Sequence, residues 1–446
     1  MRASVRALGA LGGGRACPLS YRYSPAALAD AARDLDLAAA GTRILFCVGG
    51  LYGNLEALAA VERRVAREDV AHRAAVLFNG DFNFFNCSQD EWLQVNTQVM
   101  TSHHAIAGNV EVEAIAMDNS GGCGCAYPSY VGDATVERSN AIVERLRTVA
   151  AAAEAEGGDG ANVGAWLRGL PRFQGVIMDG GGVGSNGTGG SSGNIGSVYG
   201  GGDSDGNASA GSRAGTTRIM VLHGDYASLA GWKLSAEAME PVDARLRESL
   251  DCGTGNASCG GSPVGAPTGG TSDGAASGLD RWLDEAEASS PDGDAAALVT
   301  TPEAEVAAAL AAAKADAFLC THTCLPFGQA LRGGGAVVNN GSAGMRNFCD
   351  HPSAGLVTRV GPAGSIPEDS LYGAELVGLG GRRTGLRVDA IPVAVDTAAW
   401  AARFRAAWPV GSPAHASYSC RMNCGPSFTL VQAARQGFTL APGAAL

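Results

Sequence analysis

The sequence predicts an α/β protein, in which strands and helices alternate along the chain. Short apolar runs of strand length recur, and most of them end in glycine or polar residues. Segments with the apolar spacing of a helix lie between several of these runs, and apolar residues make up 46% of the 446 residues, which is enough for a sizeable core. In sheets of this class, ligands bind just beyond the carboxyl ends of the strands, so the polar residues at those ends are the first candidates for a functional site.

The elements can be assigned in order from these patterns. Residues 43–48 form the first predicted strand, which ends at Gly49 and Gly50, and residues 54–67 follow with helical periodicity. Further strands are predicted at 74–78, 104–107, 218–222, 317–320 and 336–338, and helices at 139–153 and 303–315. Beyond residue 360, the pattern predicts one or two strands over 386–395 and a helix over 397–408, and it gives no assignment for the final residues.

Composition excludes several classes of protein. The net charge of −12 counts against a protein that coats nucleic acid, because such a protein needs a basic surface. No run of about 20 uncharged apolar residues is present, so no membrane-spanning helix is predicted. The first 14 residues lack the apolar core of a signal peptide, and we expect a soluble, intracellular and cytoplasmic protein. The arginines before residue 30 are also compatible with import into an organelle.

Glycine is concentrated in two tracts, at about 180–215 and 252–278. Both lack the apolar side chains that would offset the entropy cost of ordering them, which predicts flexible surface insertions. Neither has the lysine and the flanking strand and helix of a phosphate-binding loop. We therefore expect an N-terminal extension (1–40), one domain that carries both insertions (41–396), and a C-terminal helix and tail (397–446).

Six short motifs follow the predicted strands in order. They are GGLYGN (49–54), NGD (79–81), GNVE (108–111), HGD (223–225), THTCLP (321–326) and NNGSAG (339–344). Any one of them alone carries no information, because glycine and asparagine are common in turns. Six in series, each at the end of a predicted strand, indicate a composite site.

This series resembles that of the calcineurin-like metallophosphoesterases, whose motifs are D-x-H-G-N, G-D, G-N-H-[ED], H-G, G-H-x-H-x-P and N-x-G-S. The order is the same over roughly residues 41–360. The resemblance implies a two-sheet β-sandwich flanked by helices and a divalent-metal centre. It also implies hydrolysis of a phosphorylated small molecule or another phosphoester substrate.

The resemblance is uneven at the metal ligands. One metal position keeps its complete set, which carries over to Asp81, Asn109, His223 and His322, and these four are also the predicted catalytic residues. The other position would use Gly50, Tyr52, Asp81 and Cys324, of which Asp81 and a Cys324 thiolate are the plausible ligands. Carboxylate, amide and imidazole ligands suit Mn²⁺, Fe²⁺ or Zn²⁺. We therefore expect one metal ion per chain, with the second position weak or absent.

The residue expected to act as the general acid is missing from this sequence. Val110 stands where the family has its general-acid histidine, and His103 and His104 are the nearby candidates for a replacement. Loss of such an acid typically costs about 10²- to 10⁴-fold in rate, so we expect slow or specialised hydrolysis. Asn54 is predicted to help orient the substrate phosphate.

The alternatives to hydrolysis are an inactive descendant of the fold that binds a ligand or partner, and a thiol-based redox role for Cys324, which needs a low-pKa thiolate.

The remaining cysteines allow a structural zinc site. Cys123 and Cys125 form one close pair, and Cys420 and Cys424 form another. The C-x-C spacing is tight for structural zinc, and the two pairs are far apart in sequence. Chance enrichment is therefore the favoured interpretation of these cysteines.

Overall fold

The structure, a computed structural model, describes residues 15, 17–29, 34–69, 73–116, 122–180, 216–242 and 299–444. Both glycine-rich insertions lie almost entirely outside the described residues. The strands are β1 (Leu35–Asp36), β2 (Ile44–Val48), β3 (Ala74–Phe78), β4 (His104–Ala105), β5 (Phe173–Asp179), β6 (Thr216–Leu222), β7 (Ala317–Cys320), β8 (Phe327–Ala330), β9 (Ala336–Asn339), β10 (Gly355–Pro362), β11 (Tyr372–Gly378), β12 (Arg382–Val393) and β13 (Thr439–Leu440). The helices are α1 (Pro25–Ala29), α2 (Leu55–Ala66), α3 (Gln89–Ser102), α4 (Asn109–Ala114), α5 (Asp133–Ala155), α6 (Asp159–Gly169), α7 (Glu303–Ala312), α8 (Thr397–Ala407), α9 (Pro413–Cys424) and α10 (Leu430–Ala433).

Two mixed sheets are flanked by helices, which confirms the predicted α/β fold. One sheet has the strand order β1-β5-β6-β7-β9-β8, and the other has the order β13-β11-β12-β10-β2-β3-β4. Alternation along β2 shows how the layers form. Leu45 and Cys47 belong to the core that the two sheets share, whereas Phe46 and Val48 belong to the core under the helices.

Most of the predicted elements are present with small shifts at their ends. The helix predicted at 139–153 spans Asp133–Ala155, because Gly132 caps its start and Asp133 lies in its first turn. The late strand prediction corresponds to a single strand, β12. Periodicity did not identify α3, β5, β10 or β11, nor α9 and α10 near the C-terminus.

Parts of the two terminal regions are built into the core. Tyr21 and Leu28, from the segment predicted as an N-terminal extension, are 1% and 0% exposed. From the C-terminal region, Trp400 and Phe404 pack in the core under the helices, and β13 pairs with β11. Among the described residues, no helix is long and apolar enough to cross a membrane.

Candidate metal centre

The sheet topology brings the six motifs to one edge of the molecule. Strands β2, β3 and β4 are parallel in one sheet, and β6, β7 and β9 are parallel in the other, so the motifs follow the carboxyl ends of parallel strands. Several hydrogen bonds connect the sheets there. For example, Asn79 Nδ2 donates to the Leu222 carbonyl (3.2 Å), and the Ala343 amide donates to the Gly49 carbonyl (2.8 Å). Loops that are distant in sequence therefore meet.

The four ligands predicted for the complete metal position, Asp81, Asn109, His223 and His322, converge at this edge. His223 Nε2 lies 2.9 Å from Asn109 Oδ1, 3.1 Å from His322 Nδ1 and 3.3 Å from Asp81 Oδ1. Potential ligand atoms of Asp81, His223 and His322 all lie within 4.8 Å of one another. None of the four residues is more than 9% exposed. We call these four residues the ligand group.

Hydrogen bonds to backbone carbonyls fix which atom of each residue faces the centre. His223 Nδ1 donates to the Asn79 carbonyl (2.8 Å) and His322 Nε2 to the Cys125 carbonyl (3.0 Å), because a carbonyl can only accept. Burial lowers the pKa of His223 to about 4 and that of His322 to about 3, so both rings are neutral near pH 7. Each ring therefore points a lone pair inward.

The amide of Asn109 is oriented in the same way. Its Nδ2 donates to the Cys123 carbonyl (2.9 Å), which leaves Oδ1 facing His223. Two nitrogen lone pairs and two oxygens thus converge with no donated proton among them when Asp81 is ionised. Such an arrangement is electrostatically unfavourable unless a cation or a proton lies between the atoms.

The ligand group fits a divalent cation in both chemistry and spacing. Two ligands at about 2.1 Å from one ion, separated by about 90–110°, lie about 3.0–3.4 Å apart, which agrees with the observed separations of 2.9–3.3 Å. Nitrogen and oxygen donors in equal number suit Mn²⁺, Fe²⁺ or Zn²⁺. A proton competes with the cation for the Asp81 carboxylate, because burial raises the pKa of Asp81 to about 7.

Two glycines permit the close approach of the loops that carry Asp81 and Asn109. A Cβ atom on Gly80 would lie 2.5 Å from both the Gly108 Cα and His223 Nδ1, and one on Gly108 would lie 2.5 Å from Asp81 Oδ1. Gly80 also has φ +97°. Both glycines are therefore required by space, and Gly80 is required by its backbone conformation as well.

Glu111 holds the same two loops together, a role that sequence reasoning did not identify. Its buried carboxylate accepts hydrogen bonds from the amides of Asp81 (2.7 Å), Phe82 (3.0 Å) and Gly108 (3.0 Å) and from Asn83 Nδ2 (3.3 Å). Burial, and then the charge of Asp81, raises the pKa of Glu111 to about 7. The acidic residue of the GNVE motif thus positions Asp81 without entering the ligand group.

The residues predicted at the second metal position contact one another. Tyr52 Oη is hydrogen-bonded to Cys324 Sγ. A Cβ atom on Gly50 would come within 2.9–3.0 Å of the Tyr52 ring, so this ring fills the space beside Gly50. Burial raises the pKa of the Tyr52 phenol and of the Cys324 thiol, which keeps both protonated. Cys324 therefore lacks the low-pKa thiolate that a redox role needs, and it is not among the residues grouped with Asp81, His223 and His322.

Asn54 occupies a structural position. Its Oδ1 accepts from the Ala57 amide (2.9 Å) at the start of α2, and its Nδ2 donates to the Gly344 carbonyl (3.0 Å). The side chain is fully buried, and both of its polar atoms have partners within the fold. Its predicted contact with substrate stays a prediction.

The Cys123–Cys125 segment contributes to the centre through its backbone. The Cys123 carbonyl accepts from Asn109, and the Cys125 carbonyl accepts from both His322 and Trp232 Nε1 (3.0 Å). Among the described residues, the His, Cys, Asp and Glu side chains grouped closely enough to hold a metal are Asp81, His223 and His322, so the cysteine pairs form no such group. Sequence reasoning could not identify this role, because any residue type supplies a backbone carbonyl.

The histidines considered as replacement acids lie elsewhere on the sheet edge. His103 Nε2 lies 3.3 Å from Glu62 Oε1, and His104 begins the short edge strand β4. Neither is part of the ligand group.

Comparison with known proteins finds similarity in solved structures alone. A metallophosphoesterase from Sphaerobacter thermophilus has 13% identity and a TM-score of 0.37, covering 86% of this chain and 99% of that one. A hypothetical protein from Pyrococcus horikoshii has 12% identity and a TM-score of 0.40, with the same coverages. A protein serine/threonine phosphatase from Saccharomyces cerevisiae has 13% identity and a TM-score of 0.33, covering 83% of this chain and 89% of that one. No family model matches the chain, and no curated protein matches it.

Proposed function

We propose that this protein is a metal-dependent phosphoester hydrolase with one well-formed divalent-metal site. The observation that carries the proposal is the convergence of four lone-pair donors, each oriented by a hydrogen bond on its outer side. His223 and His322 are held by the carbonyls of Asn79 and Cys125. Sites built in this way resist rotation of the ligands and favour a bound ion.

The residues of the centre divide into those that hold the ion and those that hold the ligands. Asp81, Asn109, His223 and His322 would bind one Mn²⁺, Fe²⁺ or Zn²⁺ ion. A divalent ion at this position supplies Lewis acidity toward a phosphoryl oxygen and an activated water nucleophile. Glu111 keeps the Asp81 loop in place by accepting from the amides of Asp81 and Phe82.

The activity would be slow or restricted to specialised substrates. Val110 is buried and non-ionisable, so it cannot protonate a leaving group. Protonation of the leaving group by a general acid typically raises the rate about 10²- to 10⁴-fold. With Tyr52 and Cys324 hydrogen-bonded at the second position, the leaving oxygen would not be stabilised by a second ion. An activated aryl phosphoester, whose leaving group needs no proton, is the substrate class best matched to this site.

Hydrolysis of p-nitrophenyl phosphate and bis-p-nitrophenyl phosphate, with Mn²⁺ present, tests the proposal. We expect measurable turnover by the native protein and at least a 100-fold loss in Asp81→Ala. Asp159→Ala, which removes an exposed carboxylate at the start of α6, is the matched control and should keep native activity. Equal rates for native protein and Asp81→Ala would argue against catalysis by this site.

A second candidate function is a non-catalytic module that binds a ligand or partner. The observation that favours it is the low exposure of the ligand group, with His223 at 0% and Asp81 at 6%, beside a second metal position filled by Tyr52. Stoichiometric metal retention together with equal background hydrolysis in native protein and Asp81→Ala would favour this module over the hydrolase.

A further inference from the structure

A cavity of about 400 Å³ lies beside the motif loops, between the loop after β9 and helices α8 and α9. Asn54 and Gly344 form one part of its wall, and Trp400 and Met422 form another. None of the four residues of the ligand group lines it. Its volume is within the range of small-molecule sites, which is about 300–1,000 Å³.

The charged groups of this cavity are of one sign. Arg346 and Arg405 line it, and no aspartate or glutamate is among its lining residues. Within the described part of the chain, neither arginine forms an ion pair, whereas Arg64, Arg147 and Arg359 do. In a chain with 44 acidic and 32 basic side chains, two unpaired guanidinium groups at one cavity indicate a site for an anion.

Two buried donors at the cavity also lack partners. Trp400 is 7% exposed, and its Nε1 has no hydrogen-bond partner. Arg346 donates its two Nη groups to the carbonyls of Asn423 (2.7 Å) and His351 (3.2 Å), but its buried Nε has no partner. Buried donors without partners are rare in folded proteins, because each has lost its hydrogen bonds to water without replacement.

The start of α8 also borders the cavity. Thr397 and Ala398, the first two residues of this 11-residue helix, line it. The Asp396 carboxylate caps this helix by accepting from the Ala399 amide (3.0 Å), so the positive end of the helix already has an anionic partner. Met345, Met422 and Val395 supply apolar lining.

We propose that this cavity, here called the Arg405 cavity, binds a small organic anion that joins a phosphate or carboxylate group to a flat apolar body. The guanidinium groups and the indole N–H would receive the anionic group, and the methionines would contact the body. This site is separate from the ligand group, so its occupancy does not depend on the proposed function or on a bound metal.

Calorimetric titration with phenylphosphonate, which is not hydrolysed, tests this proposal on full-length protein in EDTA. Benzoate has the same body with a carboxylate, and benzyl alcohol has no charge. We expect binding of phenylphosphonate or benzoate, and at least tenfold weaker binding of benzyl alcohol. The tighter of the two anions identifies the preferred head group.

Two variants separate the Arg405 cavity from other sites. Arg405→Gln removes an exposed, unpaired charge, and Trp400→Phe removes a donor that has no partner in the fold, so neither should unfold the protein. We expect at least a tenfold loss of affinity in Arg405→Gln and about a fivefold to tenfold loss in Trp400→Phe. Arg383→Gln removes an exposed arginine away from the cavity and should bind as native.

Three results would overturn the proposal. They are absence of binding to both anions, native affinity in both cavity variants, and binding that requires Mn²⁺ and is lost in Asp81→Ala. The last result would place the anion at the ligand group, and it would support the proposed function while rejecting the Arg405 cavity.

Discussion

His223 Nε2 lies 3.1 Å from His322 Nδ1, and each ring donates its only N–H to a backbone carbonyl on its outer side. The two rings meet edge to face, with centroids 5.0 Å apart. Because both lone pairs point at the same place, neither ring has to reorient in order to bind a cation.

Removal of one imidazole should disable metal binding. We expect His322→Ala to lower Mn²⁺ affinity by more than 100-fold, since even residues that only orient a metal ligand are worth about 10- to 100-fold. Isothermal titration on the metal-free protein measures this. His104→Ala, which removes an exposed histidine outside the ligand group, is the control. Equal affinities in the two variants would show that the ion binds elsewhere.

Metal affinity should depend on pH through Asp81. Burial raises the pKa of Asp81 to about 7, so a proton occupies this carboxylate at pH 6 and has left it at pH 8. We expect apparent Mn²⁺ affinity to fall about tenfold from pH 8 to pH 6, with proton release on binding at the lower pH. The histidines contribute nothing over this interval, because their pKa values lie near 3 and 4. Affinity that is constant between the two pH values would contradict this assignment.

Glu111 should be essential for stability. Glu111→Ala leaves three buried backbone amides without their side-chain acceptor, and it removes one of the two acceptors of Asn83 Nδ2. We expect a loss of at least about 3 kcal/mol in the free energy of unfolding, measured by urea denaturation. Glu137→Ala, an exposed position on α5, should change it by less than about 0.5 kcal/mol. A small loss in Glu111→Ala would mean that the loops are held together by other contacts.

Gly50 and Tyr52 should be energetically coupled. Gly50→Ala places a methyl group within 2.9–3.0 Å of the Tyr52 ring and also strains a backbone with φ +55°. We expect it to cost about 2–4 kcal/mol in native protein but only about 1 kcal/mol in a Tyr52→Ala background, where the strained φ alone remains. Urea unfolding of the four proteins in this cycle measures the coupling. Equal costs in both backgrounds would show that the ring does not fill this space.

The sequence predicted the fold because its strongest signals are local. Residues 74–78 and 317–320 are apolar runs bounded by polar residues, and both are strands with those limits in the structure. Strand β10 was missed because glycine and polar residues interrupt its apolar pattern, although seven of its eight residues are buried. Arg359, for example, is buried within β10 through ion pairs with Glu68 and Asp389, which a hydrophobicity pattern cannot anticipate.

The ligand group was predictable in identity but not in orientation. His223 and His322 could be selected because each follows a predicted strand within an ordered motif series. The carbonyls of Cys123 and Cys125 that orient Asn109 and His322 belong to a loop without a side-chain signature. The contact between Tyr52 and Cys324 joins residues 272 positions apart, so periodicity and spacing could not reveal it.

Metal content per chain is the most direct test of the single-site interpretation. The protein would be reconstituted separately with Mn²⁺, Fe²⁺ and Zn²⁺, freed of unbound metal by gel filtration, and measured by plasma mass spectrometry. We expect one ion per native chain for at least one metal and none in Asp81→Ala. A native content of zero with every metal, a content of two, or an unchanged content in Asp81→Ala would contradict a single metal centre at Asp81, Asn109, His223 and His322.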